Sequence, residues 1–314
     1  MNLRDLKYII AVAETRHFGR AAQRCFVSQP TLSGQIRKLE QELGVVIFER
    51  TNRSVEITPV GETILAHVRL LLEQADAIEQ LARAQQDPLA GPLRIGAIPT
   101  ISPYLMPLVL VPLKRQYPQT RLVLSEETTD ALLARLRNHE IDAALLATQE
   151  NDHELEVIPL FDEPFWLALP SKHVLYNKDD ISRKDLQKLD LLLLAEGHCL
   201  AKQTMDVCRM KQRSEQGDMA ALRAASLETL LHLVGAGFGC TLVPALALRG
   251  AWATGSGVVV RPLDLPDAHR RVSLVFRNSF PRRPALEAFA QSIRENLPNT
   301  VKVIGAGSRR KRVR

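Results

Sequence analysis

A break at residues 85–92, with the sequence Gln-Gln-Asp-Pro-Leu-Ala-Gly-Pro, divides this 314-residue chain into two parts of different hydrophobic periodicity. Before the break, apolar residues recur every three or four positions, as they do in amphipathic helices. After it, short apolar runs alternate with helical segments, which is typical of an α/β domain. Two prolines and a glycine this close together end a helix and favour a hinge. We therefore expect two domains that are joined at this break.

The clearest helix of the N-terminal part follows Ser28, a good N-cap, and tolerates Pro30 in its first turn. Its buried stripe consists of Leu32, Ile36, Leu39 and Leu43. The opposite side is short, polar and basic, with a glycine that allows close approach. The candidate DNA contacts on and beside it are Gln29, Pro30, Thr31, Ser33, Gly34, Arg37 and Lys38. These properties suit a recognition helix in a DNA major groove, and equally a solvated face of a three-helix bundle.

The segment after this helix predicts a β-hairpin. Strands at 45–50 and 55–57 enclose a polar turn at 51–54. Arg50 and Arg53 place positive charge at the tip, where a wing would rest on the phosphate backbone. This winged arrangement favours DNA binding, and we assign residues 1–58 to a winged helix-turn-helix domain.

Residues 59–87 predict a long linker helix with Thr58 as N-cap and Pro59 as its first residue. Its apolar residues are spaced alternately by four and three: Ile64, Val68, Leu71, Ala75, Ile78 and Ala82. A heptad seam of this length is adequate for a coiled-coil-like homodimer. The alternative is a helix that packs on its own domain.

Residues 88–300 predict an α/β effector domain with parallel sheets, long enough for two lobes around a cleft. The expected strands are 93–98, 122–126, 141–147, 165–169, 191–194, 241–243 and 272–276. Helices are expected up to residue 117 and over 130–139, 226–235 and 284–297. Residues 301–314 are expected to form a disordered basic tail, since residues 305–314 contain five basic residues and no acidic one.

Composition and charge argue against a membrane-spanning protein, a secreted protein and a disulfide-stabilised scaffold. The net charge is +6, and the basic excess lies in the first 60 residues and in the last ten. No apolar run approaches the roughly 20 residues of a membrane span, and residues 1–14 lack a signal-peptide pattern, so we expect a cytoplasmic protein. Four cysteines in a chain of this length are not a disulfide framework, and a bond between two of them would be redox-sensing rather than structural.

Two of these cysteines lie nine residues apart, at Cys199 and Cys208. On one continuous helix their Cα atoms would be about 13 Å apart. A disulfide requires Cα atoms within about 7 Å, so a bridge would force this stretch to change its backbone conformation. The alternative is that Cys199 and Cys208 are unrelated cysteines of the protein core. A zinc site that uses them with His198 lacks four-ligand spacing, so we expect no metal.

Several motifs together are similar to those of LysR-type transcriptional regulators. The N-terminal matches are Ala21-Ala22, residues 28–33, Ile36, Leu39-Glu40 and Leu43-Gly44, and the effector-domain matches are residues 91–96, 226–229 and 237–239. The resemblance implies a winged helix-turn-helix, a linker helix, and a two-lobed effector domain like a periplasmic binding protein. It also implies a homodimer or homotetramer on promoter DNA with dyad-symmetric half-sites, and contact with RNA polymerase in the nucleoid.

The residues around Gly197, His198, Cys199 and Cys208 resemble more narrowly the hydrogen peroxide sensors of that family. The resemblance implies that Cys199 reacts with peroxide and that Cys208 resolves the product. It implies a peroxide pocket formed by Thr100, Thr129, His198 and an arginine that is either Arg270 or Arg271. Because Cys199 precedes a plausible helix from Leu200, the helix N-terminus is expected to lower the pKa of its thiol.

We therefore expect a peroxide-responsive transcription factor, able to activate or repress, that is reset by cellular dithiols and has neither a cofactor nor enzyme activity. One alternative is a LysR-type regulator gated by a small organic effector in the cleft between the lobes. Another is a thiol peroxidase with an appended DNA-binding domain.

Overall fold

The computed structural model describes residues 1–50, 55–83, 89, 91–148, 152–210, 223–249 and 257–305. The chain forms two compact units, and the boundary between Gln86 and Asp87 falls inside the segment expected to be a hinge. The first unit comprises Met1–Gln86 with Arg137–Glu140, and the second comprises Asp87–Leu136 with Ile141–Arg314. The predicted turn at 51–54 and most of the hinge lie outside the described residues.

Three helices open the first unit: α1 (Leu3–Thr15), α2 (Phe18–Arg24) and α3 (Gln29–Leu43). The side chain of Asn2 caps α1 by accepting a hydrogen bond from the Asp5 amide at 3.0 Å. The Ser28 hydroxyl caps α3 in the same way, accepting from the Thr31 amide at 3.3 Å. These caps satisfy amides that the first turn of a helix leaves without partners.

A short antiparallel hairpin follows, formed by β1 (Phe48–Arg50) and β2 (Val55–Ile57). The predicted first strand began at Val45, which is wrong by three residues. The reason is that one carboxylate oxygen of Glu40 accepts hydrogen bonds from the amides of Ile47 and Phe48, at 2.9 and 3.1 Å. The Glu40 side chain of α3 thus accepts the amide hydrogen bonds that would be needed to extend the strand toward Val45.

The long helix α4 (Pro59–Arg83) completes the first unit. It packs on the core of its own unit through Leu65 and Val68, which are 0% and 6% exposed. Leu71 and Ile78, seven residues apart, are instead 41% and 71% exposed. The residues of the predicted heptad seam therefore do not all lie on one surface. Val68 is buried against its own domain, whereas Leu71 and Ile78 form a separate, exposed apolar row.

The second unit contains the remaining strands and helices. Its strands are β3 (Gly91–Ala97), β4 (Thr120–Glu126), β5 (Ala143–Leu146), β6 (Leu155–Pro170), β7 (Leu193–Leu194), β8 (Arg223–Ala224), β9 (Thr241–Pro244), β10 (Val258–Pro262), β11 (His269–Arg277) and β12 (Lys302–Val303). Its α-helices are α5 (Ser102–Gln116), α6 (Thr129–Arg137), α7 (Arg183–Leu186), α8 (Cys199–Cys208), α9 (Leu227–Gly235) and α10 (Arg283–Glu295), with 3₁₀ turns at Val174–Asn177 and Ala245–Arg249.

The main sheet is mixed, so the expectation of parallel sheets is wrong in part. Strands β4, β3 and β5 are parallel, but β11 pairs antiparallel with both β5 and β6. The 16-residue strand β6 explains this, because its first part pairs with β11 and its last part pairs antiparallel with β9 and β10. It passes through two separate apolar clusters: Phe161 belongs to one and Phe165 to the other. These clusters are the cores of two lobes.

The effector domain continues past residue 300, contrary to the predicted boundary of the tail. Lys302 and Val303 pair with Asp162 and Phe161 of β6, and Val301 is only 8% exposed. Apolar Val301 and Val303 let the chain add a short strand before the basic residues begin. The basic run 309–314 lies outside the described residues. Among the described helices, none combines the length and apolarity needed to span a bilayer.

Candidate functional site

Helix α8 is continuous and carries one cysteine at each end. Cys199 is its first residue and Cys208 its last, and both thiols are free. Nine residues of helix turn through about 900°, so the two side chains point to opposite sides, with Cα atoms about 13 Å apart. Accordingly, Cys199 packs against the core of the first lobe, whereas Cys208 is 0% exposed within the core of the second. No disulfide can form until this helix opens.

The first turn of α8 borders a small pocket. Its lining residues are Ile98, Pro99, Thr100, Thr128, Thr129, Gly197, His198 and Cys199. The pocket is small: about 170 Å³ of space lies between its lining atoms, and this figure includes open solvent at its mouth. Four residues proposed from the sequence, Thr100, Thr129, His198 and Cys199, thus lie together.

Gly197 brings the start of α8 close to the start of α6. Its φ of +91° lies in the left-handed region, and a Cβ placed there would be 3.3 Å from Cγ2 of Thr128. A larger residue would therefore be strained and would push the two segments apart. The next residue, His198, is the N-cap of α8, half-buried and extended with φ −92°.

Arg270 is fixed behind the pocket by buried partners. Its Nε donates to Glu163 Oε2 at 2.8 Å, and its two terminal nitrogens donate to the Thr100 hydroxyl at 2.8 Å and to the Thr100 carbonyl at 2.9 Å. The other Glu163 oxygen accepts from the Leu246 amide at 2.7 Å. Because the Thr100 oxygen already accepts from Arg270, its own proton remains available to donate.

Sequence reasoning missed Glu163, which is 0% exposed. The available signal was a pair of adjacent carboxylates, Asp162 and Glu163, within a largely apolar strand, because one of two neighbours on a strand faces inward and a buried charge is paired or functional.

Arg271, the other candidate for the pocket, lies outside it, so that part of the prediction is wrong. Its guanidinium is exposed and pairs with Asp162 through contacts of 2.8 and 3.1 Å. Adjacent residues of a strand point to opposite faces, so Arg270 and Arg271 cannot both face the same pocket. The structure thereby distinguishes two neighbours that the sequence left equivalent.

Burial raises the pKa of the Cys199 thiol. The positive charge of Arg270, the nearby Thr129 hydroxyl, and the amides of residues 199 and 200 act in the opposite direction without offsetting burial. The amides at the start of α8 therefore lower this pKa as expected, but burial outweighs them and the net shift is upward. Burial raises the pKa of Cys208 further, to about 11. Both cysteines are mainly thiols near neutrality, and Cys199 has the surroundings that stabilise its thiolate.

The candidate DNA-binding face lies on α3 in the first unit. The exposed residues are Gln29, Pro30, Thr31, Gly34, Arg37 and Lys38, and Ser33 is half-buried. The buried stripe consists of Leu32, Ile36 and Leu39, whereas Leu43 is 40% exposed. Arg50 is the last residue of β1, and Arg53 lies outside the described residues. The polar face of α3 is thus exposed to solvent and could enter a groove of DNA.

Both parts of the chain match known domains. Residues 3–62 match the bacterial regulatory helix-turn-helix protein of the lysR family, and residues 86–298 match the LysR substrate binding domain. Among curated proteins, the chain is 41% identical over 308 residues to the hydrogen peroxide-inducible genes activator of Dickeya chrysanthemi. That match covers 98% of this chain and 100% of the relative.

Solved structures agree with these matches. A cysteine-to-aspartate variant of full-length OxyR from Pseudomonas aeruginosa is 41% identical and superposes with a TM-score of 0.77 over 94% of this chain and 98% of that one. A mutant of Corynebacterium glutamicum OxyR with H2O2 bound is 36% identical, with a TM-score of 0.64 over 94% of this chain and 92% of that one. The chain therefore belongs to the LysR family of bacterial regulatory proteins, within the group that includes OxyR.

Proposed function

We propose that this protein is a DNA-binding transcriptional regulator that senses hydrogen peroxide and is switched by a reversible disulfide between Cys199 and Cys208. Its similarity to hydrogen peroxide-inducible genes activators supports the signal and the output. The observation that carries the mechanism is the placement of the two free thiols at opposite ends of one helix, with Cys199 in a small polar pocket.

The first step oxidises Cys199. Its thiolate attacks one peroxide oxygen, the O–O bond breaks, and the other oxygen leaves as hydroxide with the bonding electron pair. The sulfur becomes a sulfenic acid. Thr100 and Thr129 supply hydroxyl donors toward the peroxide, and the charge of Arg270 stabilises the thiolate and the leaving hydroxide.

The second step forms the disulfide. The sulfur of Cys208 attacks that of Cys199, the S–O bond breaks, and hydroxide leaves to combine with the thiol proton as water. The Cα atoms must first approach to within about 7 Å, so part of α8 unwinds and Cys208 leaves its core. Cellular dithiols reverse the change by thiol–disulfide exchange.

The output is a change in DNA binding. In a dimer or tetramer, repacking of the effector domains alters the separation of the recognition helices, and therefore the half-site spacing that fits promoter DNA. Such a change can activate or repress transcription by repositioning the protein relative to RNA polymerase. A regulator with this activity is expected to act on the nucleoid, in the bacterial cytoplasm.

The two alternatives are less well supported. For a small organic effector in the cleft between the lobes, the relatives named above offer no support, because they are peroxide-inducible regulators. A thiol peroxidase would have to refold α8 in every cycle, which slows turnover, so we expect no sustained consumption of peroxide in the presence of a reductant.

Mass spectrometry of the reduced protein after mild peroxide treatment tests the proposal. We expect a disulfide between Cys199 and Cys208 and a changed footprint on promoter DNA, neither of which should occur in a Cys199→Ser variant. Normal induction in that variant would support an organic effector instead.

A further inference from the structure

The C-terminal end of α8 is closed by a backbone motif whose left-handed residue is not glycine. Arg209, at φ +49°, donates its amide to the Asp206 carbonyl at 3.0 Å, and Met210 donates to the Met205 carbonyl at 3.0 Å. This Schellman arrangement satisfies two of the last carbonyls of the helix. Glycine usually occupies the left-handed position, because a Cβ is crowded there. Local sequence therefore holds this helix end weakly.

A side chain from another helix supplies the next contact. Arg183, the first residue of α7, donates from Nη1 to the carbonyl of Val207 and from Nη2 to the carboxylate of Asp267. Arg183 is 19% exposed and Asp267 is 50% exposed. Hydrogen bonds from a charged donor are stronger than neutral ones, and Val207 directly precedes Cys208. The resolving cysteine is thus one residue away from a tertiary clamp.

Opening of the helix end must release this contact. Cys208 is buried among apolar residues of the second lobe, and it cannot reach Cys199 while α8 is intact. If the Arg183 contact is present in the reduced form and broken before the sulfur–sulfur bond forms, it adds to the barrier of the second step alone. The chemistry at Cys199, at the other end of the helix, does not involve it.

We propose that Arg183, oriented by Asp267, is a positioning residue that clamps the C-terminal end of α8 and limits the rate at which Cys208 resolves the Cys199 sulfenic acid. This inference rests on the proposed disulfide switch and adds a determinant of its second step. The clamp lengthens the life of the sulfenic acid, so it delays switching after a brief exposure to peroxide.

Rapid-quench mass spectrometry with excess peroxide separates the two steps, because dimedone labels the sulfenic acid and the disulfide is counted separately. Arg183→Met removes the donors while keeping an unbranched side chain, and Arg183→Lys keeps the charge. Arg271→Met is the matched control, since it removes an arginine–aspartate pair of the same domain that lies away from α8.

In Arg183→Met we expect Cys199 oxidation to stay within about twofold of wild type and disulfide formation to become at least about tenfold faster, the factor for losing one hydrogen bond to a charged donor. The rate of disulfide formation in Arg183→Lys should lie between those of wild type and Arg183→Met, and the rate in Arg271→Met should equal that of wild type. An unchanged second step, or an equal change in both steps, would overturn the clamp. A slower second step would also overturn it, by showing that Arg183 activates the Cys208 thiol instead.

Two further measurements keep the test decisive. Asp267→Asn changes an exposed partner and should accelerate the second step to a smaller degree, even if Arg183→Met fails to fold. Hydrogen exchange at the amides of Arg209 and Met210 should quicken in both variants, and unchanged exchange would contradict the clamp by itself. Absence of any 199–208 disulfide in the wild-type protein would contradict the proposed function, whatever the exchange shows.

Discussion

At the scale of single residues, the reactivity of Cys199 is a balance between burial and one buried cation. Burial raises the thiol pKa and Arg270 lowers it. Arg270 is itself paired with Glu163, which is fully buried and held by the Leu246 amide. Glu163 therefore positions the guanidinium toward Thr100 and at the same time reduces the field that Arg270 exerts on the sulfur.

This balance predicts the effect of Glu163→Gln. Without the carboxylate, the charge of Arg270 is uncompensated, so the pKa of Cys199 should fall and alkylation by iodoacetamide at pH 7 should become several-fold faster. The pH profile of alkylation measures this shift. Breaking a buried pair should also lower the free energy of unfolding by about 3 kcal/mol.

Asp162→Asn, which removes the exposed partner of Arg271, is the control and should leave the pH profile unchanged. A profile that moves to higher pH in Glu163→Gln would mean that Glu163 acts only by holding Arg270 in place.

At the scale of elements, the proposed disulfide switch requires α8 to form in one redox state and to open in the other. The two ends of α8 belong to different lobes. Cys199 packs on the apolar core of one lobe, and Cys208 lies in the apolar core of the other. Near its middle, the Gln203 side chain donates to the Ala147 carbonyl at 2.7 Å. The intrinsic stability of this helix is therefore part of the redox equilibrium, because only the reduced form contains it whole.

Lys202, which is exposed on α8, allows that stability to be changed without altering the core. Glycine at a helix interior is about 1 kcal/mol less favourable than alanine. Lys202→Gly should therefore favour the disulfide and make the reduction potential about 20 mV more negative than in Lys202→Ala. Titration against glutathione buffers measures both variants. Equal potentials would show that residue 202 stays helical after oxidation.

At the scale of the whole molecule, the proposed function requires a signal in the effector domain to change how copies of the protein are arranged on DNA. The exposed apolar row of α4 is the feature best suited to hold two copies together. Leu71 and Ile78 lie one heptad apart on a helix whose other side, through Leu65 and Val68, is committed to its own domain. A second copy that covers this row would remove large apolar side chains from water.

We expect Ile78→Glu to weaken the dimer by at least tenfold, because burying one unpaired carboxylate costs more than 1.4 kcal/mol. Sedimentation equilibrium measures the dissociation constant. Ala66→Glu, at an exposed position about 140° around the helix from Leu71, is the control and should associate like wild type. Undiminished association of Ile78→Glu would place the dimer contact elsewhere.

The sequence by itself determined the features that depend on neighbouring residues. Ser28 predicted the start of its helix, because a cap requires only a side chain within three residues of an amide. The spacing of Cys199 and Cys208 predicted that an intact helix would keep them apart. The motifs of the N-terminal domain and of the segment around Cys199 led to the family.

Only the tertiary structure decided which of two adjacent arginines faces the pocket, since that choice depends on which face of β11 is buried. It also revealed Glu163, the antiparallel pairing of β6 and the contact from Arg183 to Val207. Each of these joins residues distant in sequence. Their partners are brought together by burial of apolar surface over the whole domain, and no local pattern records that.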